Sequence, residues 1–302
     1  VKVTWLPDVE RGRARSVAVG TFDGVHRGHR EVIADAECVL TFEPHPVSVV
    51  APQHNPKLLT TFARKTELIA RAGVKELIVI PFDADFASRS AASFIDDVLV
   101  GALGAERVSI GENFRFGHKA QGDTALLAAD GRFEVDVHPL LELDGEIVSS
   151  SRIRGLLLAG EIAEANRLLG WSFALSGIVA HGDARGRELG FPTANLIPDE
   201  ALVCPGHGVY ACLASSPPAA AGGQPHAAAV SIGVRPTFAT GRGELIEAYL
   251  LDYEGDLYDR ELELNFIARL RGERRFDSAE ALIEQMHLDV ERTREIAGGA
   301  AA

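Results

Sequence analysis

The sequence predicts two domains of different class: a doubly wound parallel α/β sheet over residues 1–171, then a small antiparallel β-barrel with a C-terminal helix over residues 172–302. Three observations carry this. From Ser16 to about residue 140, short apolar runs alternate with segments of helical spacing, the pattern of a parallel sheet covered by helices. Beyond Gly170-Trp171, strand-like runs follow one another between glycine- and proline-rich turns, which suits a closed barrel. After Phe276 a single helical period returns.

The apolar runs of the first half are Ser16–Val19, Cys38–Phe42, Glu76–Pro81, Arg107–Ile110 and Phe133–His138. Between them Phe62–Ala72, Ser90–Ala102 and Asp123–Ala129 carry apolar residues at helical spacing, and Glu161–Leu169 adds a short helix before the boundary. The runs of the second half are Phe173–Ala180, Gly208–Ala214, Ala227–Ile232, Glu244–Asp252 and Glu261–Leu270. Ser215–Gln224, rich in proline, alanine and glycine, reads as a solvated loop. Ser278 caps an amphipathic helix over Ser278–Thr293 that buries Leu282, Ile283, Met286 and Val290, and Ala297–Ala302 is expected to fray. One element is short. Only Arg30–Glu37 is left for the first helix and the return to the second strand, whereas a parallel crossover needs roughly a dozen residues. A further segment between Ala36 and Glu37 is therefore expected, and an intact mass above that of the 302 residues would reveal it.

Composition narrows the function. Hydrophobic residues make up 46% and charged residues 24%, as in globular proteins, and the net charge is −13 from 30 basic and 43 acidic residues. So acidic a chain is a poor general binder of nucleic acid or of an anionic membrane. The three cysteines, Cys38, Cys204 and Cys212, show no metal-ligand spacing, and Cys38 and Cys212 lie in apolar runs as reduced core residues would. A reducing cytoplasm fits. No apolar run approaches a membrane span, and the first residues lack a signal-peptide core.

The densest motif of the first half is Gly20-Thr21-Phe22-Asp23-Gly24-Val25-His26-Arg27-Gly28-His29. Strand, glycine-rich turn and helix start gather backbone N–H groups and a helix dipole at one point, which suits phosphate. His26 and His29, three apart, share one side of a helical turn, and imidazoles can donate to phosphoryl oxygens. A plain turn with two surface histidines and a two-histidine metal site are the other readings of these residues alone. In Thr41-Phe42-Glu43-Pro44-His45-Pro46, two prolines fix an extended turn that holds His45 outward, as a binding residue or as an incidental one. In Gly111-Glu112-Asn113-Phe114-Arg115-Phe116-Gly117, Asn113 can bond a polar ring or a phosphate and Phe114 or Phe116 can stack on a ring; the phenylalanines could equally be core. Val148-Ser149-Ser150-Ser151-Arg152-Ile153-Arg154 opens a helix whose serines either cap it or, with Arg154, bind triphosphate.

The second half has its own dense motif, His181-Gly182-Asp183-Ala184-Arg185-Gly186-Arg187-Glu188-Leu189-Gly190-Phe191-Pro192-Thr193-Ala194-Asn195. Its glycines and arginines make a positively charged loop apt for triphosphate, although no Gly-Lys-Ser/Thr is present. Thr193 and Asn195 face one side of an extended chain and offer hard oxygens suited to Mg2+. An exposed hairpin is the alternative.

These motifs resemble those of a known family. G-x-F-D-G-x-H-x-G-H is similar to the nucleotidylyltransferase signature, specifically that of the adenylyltransferase half of bacterial bifunctional riboflavin kinase/FAD synthetases. T-F-E-P-H-P resembles that family's T-F-x-P-H-P element. V-S-S-S-R-I-R resembles its I-S-S-T-x-I-R, with Ser151 for threonine and Val148 for isoleucine. G-F-P-T-A-N resembles its riboflavin kinase signature, Gly208-Val209-Tyr210-Ala211 its G-V-Y-A strand, and Ile232–Phe238 its I-G-x-x-P-T-F element. The resemblance runs from about Ser16 to about Thr293. The His26–His29 tetrad also resembles that of aminoacyl-tRNA synthetases, but the acidic chain argues against a tRNA partner.

The resemblance implies a nucleotidylyltransferase domain followed by a kinase barrel, with ATP, riboflavin and FMN as substrates, FAD as product and Mg2+ as cofactor. It implies His26, His29 and Ser150 as catalytic for adenylyl transfer, and Glu247 as the kinase base. Gly20, Phe22, Asp23, Gly24, His45, Ser149, Ser151 and Arg154 would bind one nucleotide; Gly182, Arg187, Gly190, Pro192, Thr193 and Asn195 would bind the other. Thr193 and Asn195 would hold the metal, and Asn113 and Phe114 the flavin. It fixes no oligomeric state. The competing readings are a single working module beside a relic, a flavin or nucleotide sensor without turnover, and a nucleotidylyltransferase for another phosphate acceptor.

Overall fold

The computed structural model describes residues 1–181, 190–216, 218, 222–234 and 244–300. The chain divides into two compact units, Val1–Ser150 and Ser151–Ala302.

The first unit is built on a parallel six-stranded sheet of β1 (Lys2–Trp5), β2 (Arg15–Val19), β3 (Cys38–Glu43), β4 (Glu76–Pro81), β5 (Ala105–Gly111) and β6 (Glu134–His138), in the spatial order β1-β4-β3-β2-β5-β6. Strands β2, β3 and β4 are near-continuous apolar runs because helices cover both faces. Val17, Val19, Leu40, Ile78, Ile80 and Ile110 form the core with Val98 and Leu99. The chain leaves β2 toward β3 on one side and reaches β5 on the other. The order thus reverses between β2 and β5, and in open sheets ligands bind at the carboxyl ends of the strands at such a point. At the opposite ends, Arg15 is buried against Glu76 at 2.9 Å and donates to Leu103 O at 3.0 Å, so the desolvated pair is paired and bonded.

The helices are α1 (Arg27–Ile33), α2 (Pro46–Val50), α3 (Phe62–Arg71), α4 (Ala84–Ala87), α5 (Ala91–Ser93) and α6 (Thr124–Ala128), with α5 running on as a π-helix over Phe94–Ala102. The first crossover is short. Helix α1 starts at Arg27 rather than Arg30, Ala36 N donates to Ile33 O at 3.0 Å, and Glu37 N donates to Ser16 Oγ at 3.0 Å, which delivers the chain directly into β3. A two-stranded hairpin, β7 (Glu142–Leu143) and β8 (Glu146–Ile147), precedes the end of the unit.

Helix α7 (Ser150–Ala159) starts at the last residue of the first unit, and the second unit continues with α8 (Ile162–Leu169) and a closed antiparallel barrel. Its strands are β9 (Ala174–Ala180), β10 (Ala194–Pro198), β11 (Gly208–Ser215), β12 (His226–Val234), β13 (Glu244–Leu250) and β14 (Glu261–Arg271), in the order β10-β13-β12-β11-β14-β9. Leu175, Val230, Ile246, Ala248, Leu264 and Phe266 fill it. Helix α8 is pinned to the barrel through Asn166, whose Nδ2 donates to Phe266 O and whose Oδ1 accepts from Phe173 N, both at 2.8 Å. Helix α9 (Ala279–Ala300) closes the chain, with Ala281 N donating to Ser278 Oγ at 3.2 Å.

Two expectations for this end need correction. The fully buried stripe of α9 is Asp289, Thr293 and Ala297, while Leu282, Ile283, Met286 and Val290 are half-buried. The helix also continues through Ala297, 4% exposed, instead of fraying there. Ser215, expected in a loop, is the buried last residue of β11.

Two candidate active sites

The first site forms where β2 ends. Phe22, Gly24 and Val25 take left-handed φ values of 50°, 85° and 37°. Such a turn is strained for a β-branched residue, at a cost on the order of 1–3 kcal/mol, and it persists because Phe22 and Val25 are buried. Gly20 is required here: a Cβ on it would come within 2.9 Å of the Phe22 ring. The loop is fastened from two sides, by Leu59–Thr60 and by Ser150. Asp23 Oδ1 accepts from Leu59 N at 2.9 Å and Thr60 N at 3.3 Å. Gly24 N donates to Thr60 Oγ1 at 3.3 Å. Ser150 Oγ donates to Asp23 O at 2.9 Å, so this hydroxyl holds the loop and does not cap α7.

The turn delivers His26 as the N-cap of α1, where its Nδ1 accepts from His29 N at 3.2 Å. That bond leaves the proton of a neutral His26 on Nε2. The rings of His26 and His29 stack, centroids 3.5 Å apart at 17°, and Phe22 meets His29 edge-on at 5.3 Å. With Nδ1 of His26 taken by a backbone N–H, a neutral His26 presents Nε2–H as a donor. His45 repeats the device on α2, its Nδ1 accepting from Val47 N at 3.3 Å.

Across the reversal point, the loop after β5 carries Asn113 exposed and Phe114 half-buried, the latter stacked at 5.7 Å on Phe116. Phe116 is a core residue packed on Phe94, so of the two rings only Phe114 is on the accessible side. Ser149 is half-buried at the end of the first unit. Ser151, exposed, and Arg154, half-buried, stand on α7 in the second unit.

Two members of the first site's shell lie outside every motif read from the sequence. Thr60 is one. Lys65 is the other, a buried lysine of α3 whose Nζ is 3.5 Å from Thr21 O and Phe42 O and 3.7 Å from Glu43 Oε2. Burial pushes its pKa down, while Glu43 and Asp23 work against that. The available signal was its position: Lys65 falls on the apolar stripe of α3 with Leu68 and Ile69.

The second site is a row on the outside of the barrel. Asn195 of β10 pairs with Glu247 of β13, and Glu247 pairs with Ser231 of β12. Directly opposed residues share a face. Ile246 and Ala248 point inward, so the Asn195–Glu247–Ser231 row points out. Gly190 takes φ 88°, a value that favours glycine, and Phe191 then packs edge-on against Tyr249 at 5.3 Å and His287 of α9 at 5.0 Å. That anchors the stretch from which exposed Pro192, half-buried Thr193 and buried Asn195 follow. Gly182 and Arg187 lie outside the described residues, as do residues 235–238 of the other motif. The row continues through Val209 to Arg271 of β14. Arg271 forms a two-pronged ion pair with Asp289 of α9, Nη2–Oδ2 2.8 Å, in a groove of about 720 Å³ that Glu273 and Gln285 also line.

A threonine hydroxyl and an asparagine carbonyl are hard neutral oxygens of the kind Mg2+ accepts while keeping waters and phosphate oxygens, so this donor set fits that ion. Among the described residues, no three His, Cys, Asp or Glu side chains gather as a metal site.

Known proteins resemble both halves. Residues 9–152 match the FAD synthetase family and residues 169–297 the riboflavin kinase family. The bifunctional riboflavin kinase/FMN adenylyltransferase of Listeria monocytogenes is 38% identical over 291 residues, covering 92% of this chain and 91% of that one. The protein of the same name from Escherichia coli K12 is 36% identical over 295 residues, covering 93% and 92%. A crystal structure described as a macrolide-efflux protein from Streptococcus pneumoniae superposes with a TM-score of 0.86 at 30% identity, covering 97% of this chain and 99% of that one. Among the described residues, no helix is long and apolar enough to cross a membrane.

Proposed function

The chain belongs to the family of bifunctional riboflavin kinases/FMN adenylyltransferases, and we propose how its residues divide the two reactions. It phosphorylates riboflavin with ATP to FMN, then transfers AMP from a second ATP to FMN, giving FAD and pyrophosphate. We assign adenylyl transfer to residues 1–171 and the kinase to residues 172–302.

In adenylyl transfer the FMN phosphate attacks the α-phosphorus of ATP. It is already anionic at neutral pH, so the protein's task is to relieve repulsion between two anions. His26 and His29 take that part, with Nε2–H of His26 as a donor to the α-phosphoryl oxygens. The stacked imidazoles at the N-terminus of α1 are the observation that carries this reading. Gly20, Phe22, Asp23 and Gly24 bring backbone to the nucleotide, His45 and Ser149 flank it, and Ser150 stands beside the loop through Asp23. Ser151 and Arg154 are given the triphosphate by their motif alone. Asn113 and Phe114 take the flavin.

In the kinase step Glu247 accepts the proton of the terminal ribityl hydroxyl as its oxygen attacks the γ-phosphorus, and ADP leaves. Thr193 and Asn195 would hold Mg2+, which would neutralise phosphate charge in this step, and adenylyl transfer would draw on Mg2+ for the same purpose. Gly182, Arg187, Gly190 and Pro192 belong to the loop over that ATP. Three free thiols, two of them buried, and an acidic surface fit a cytoplasmic enzyme of small molecules, without nucleic-acid or membrane partners.

Incubation with riboflavin and MgATP, followed by separation of the flavins over time, tests the reading. FMN should rise first and decline as FAD grows. Accumulation that stops at FMN, or no turnover of riboflavin, would remove one of the two assignments.

A further inference from the structure

Lys65 is a cation where an apolar residue would pack at lower cost. It occupies the buried face of α3 between Thr61, the N-cap, and Leu68 and Ile69. There the ammonium is desolvated, and it stands near the positive end of a helix dipole; both disfavour a positive charge. What it gains is specific. Its Nζ reaches two backbone carbonyls, Thr21 O and Phe42 O, each at 3.5 Å, and the Glu43 carboxylate at 3.7 Å. Thr21 O also accepts from Thr41 Oγ1 at 3.1 Å. Those carbonyls sit where the two turns of the first site depart. One turn runs through strained Phe22 and Gly24 to His26 and His29; the other runs through Glu43 and Pro44 to His45.

We propose that Lys65 is a positioning residue for adenylyl transfer, bridging the carboxyl ends of β2 and β3 so that the turns bearing His26, His29 and His45 keep one fixed spacing. The idea rests on the assignment of that reaction to this site. Lys65 acts through the backbone of its neighbours, not on the reacting atoms. A methionine of similar length would fill the space but leave both carbonyls without their cation; an arginine would keep a donor.

The experiment uses the full chain with K65M, K65R and, as a separate control on the site itself, H29A. Both activities are measured in the same preparation: FAD from FMN and ATP, and FMN from riboflavin and ATP. Displacement of catalytic groups by about 1 Å costs on the order of 10²-fold, so K65M should lower kcat for FAD formation by about 10–100-fold, with a smaller change in the KM for ATP. K65R should recover most of that loss. The kinase rate should not move, and it reports that the chain is folded. Unchanged FAD formation in K65M would overturn the proposal. So would a loss confined to KM, a parallel fall in both activities, or equal damage in K65M and K65R with the kinase intact. If H29A alone keeps full FAD synthesis, the assignment of the site fails rather than the role of Lys65.

Discussion

The two sites are held together by different means. In the first unit, loops from distant parts of the chain are fastened to each other: Asp23 to Leu59 and Thr60, Ser150 to Asp23, Lys65 to Thr21 and Phe42. The turn they hold is strained and its key side chains, Asp23 and His26, are buried. In the second unit the corresponding residues are placed by strand register, Asn195 opposite Glu247 opposite Ser231, on a surface that points outward. A site fixed by tethers fails when one tether is cut. A site fixed by register fails at the residue that does the chemistry and tolerates change around it.

The sharpest test of this contrast is Glu247→Gln. Loss of the proposed general base should slow FMN formation by about 10²–10⁴-fold while supplied FMN is still adenylylated, as flavin separation would show. His29→Ala should slow FAD formation by about 10²–10³-fold and let FMN accumulate. If either variant, still folded, stopped both reactions, the two sites would not be separate. Asn195→Ala should shift the Mg2+ dependence of the kinase by on the order of 10–100-fold, read from a magnesium titration, and leave adenylyl transfer at its original metal requirement.

Smaller effects separate the two kinds of construction. Asp23→Ala removes the acceptor for two backbone donors and should lower the stability of the first unit by about 3 kcal/mol, measured by denaturant unfolding. Thiol labelling locates the damage. Burial pushes the Cys38 thiol up to about 12 and the Cys212 thiol well above its usual range, so neither reacts in the folded chain. In the Asp23→Ala variant Cys38 should label faster while Cys212 stays protected. Alkali gives a graded perturbation. The unfolded Cys38 thiol ionises near pH 9.0 and the folded one only near 12, so the unfolded state loses its proton first. Stability should therefore fall as pH rises through that window, and less steeply in Cys38→Ser.

Much of the sheet was legible because β2 to β4 are buried on both faces and read as near-continuous apolar runs. Strand β1 escaped notice: it is an edge strand with Val3 and Trp5 about two-fifths exposed, so its sequence carries no burial pattern. Strand β10 is five residues ending in Pro198, and its composition reads as part of a motif before it reads as a strand. The start of α1 was hidden by Gly28, a poor helix former inside its first turn. The histidines and serines were found because they cluster locally in sequence. Thr60 and Lys65 were not, since what marks them is a contact made by folding: Gly24 to Thr60, and the carbonyls of β2 and β3 to Lys65. The buried stripe of α9 was misread for a related reason. Asp289 is polar, and its burial follows from a partner, Arg271, that lies on another element.

The hydrogen bond from Ser150 to Asp23 joins residues 127 positions apart. A ribosome making this chain from its first residue would release the Phe22–Val25 turn early, yet the hydroxyl that clasps it arrives only when the whole first unit has been translated. The partners in Leu59 and Thr60 are made long before it, so the bond from Ser150 is the last of these tethers that can form. A chain stopped just short of Ser150 would keep the bonds from Leu59 and Thr60 to this turn and lack the last one.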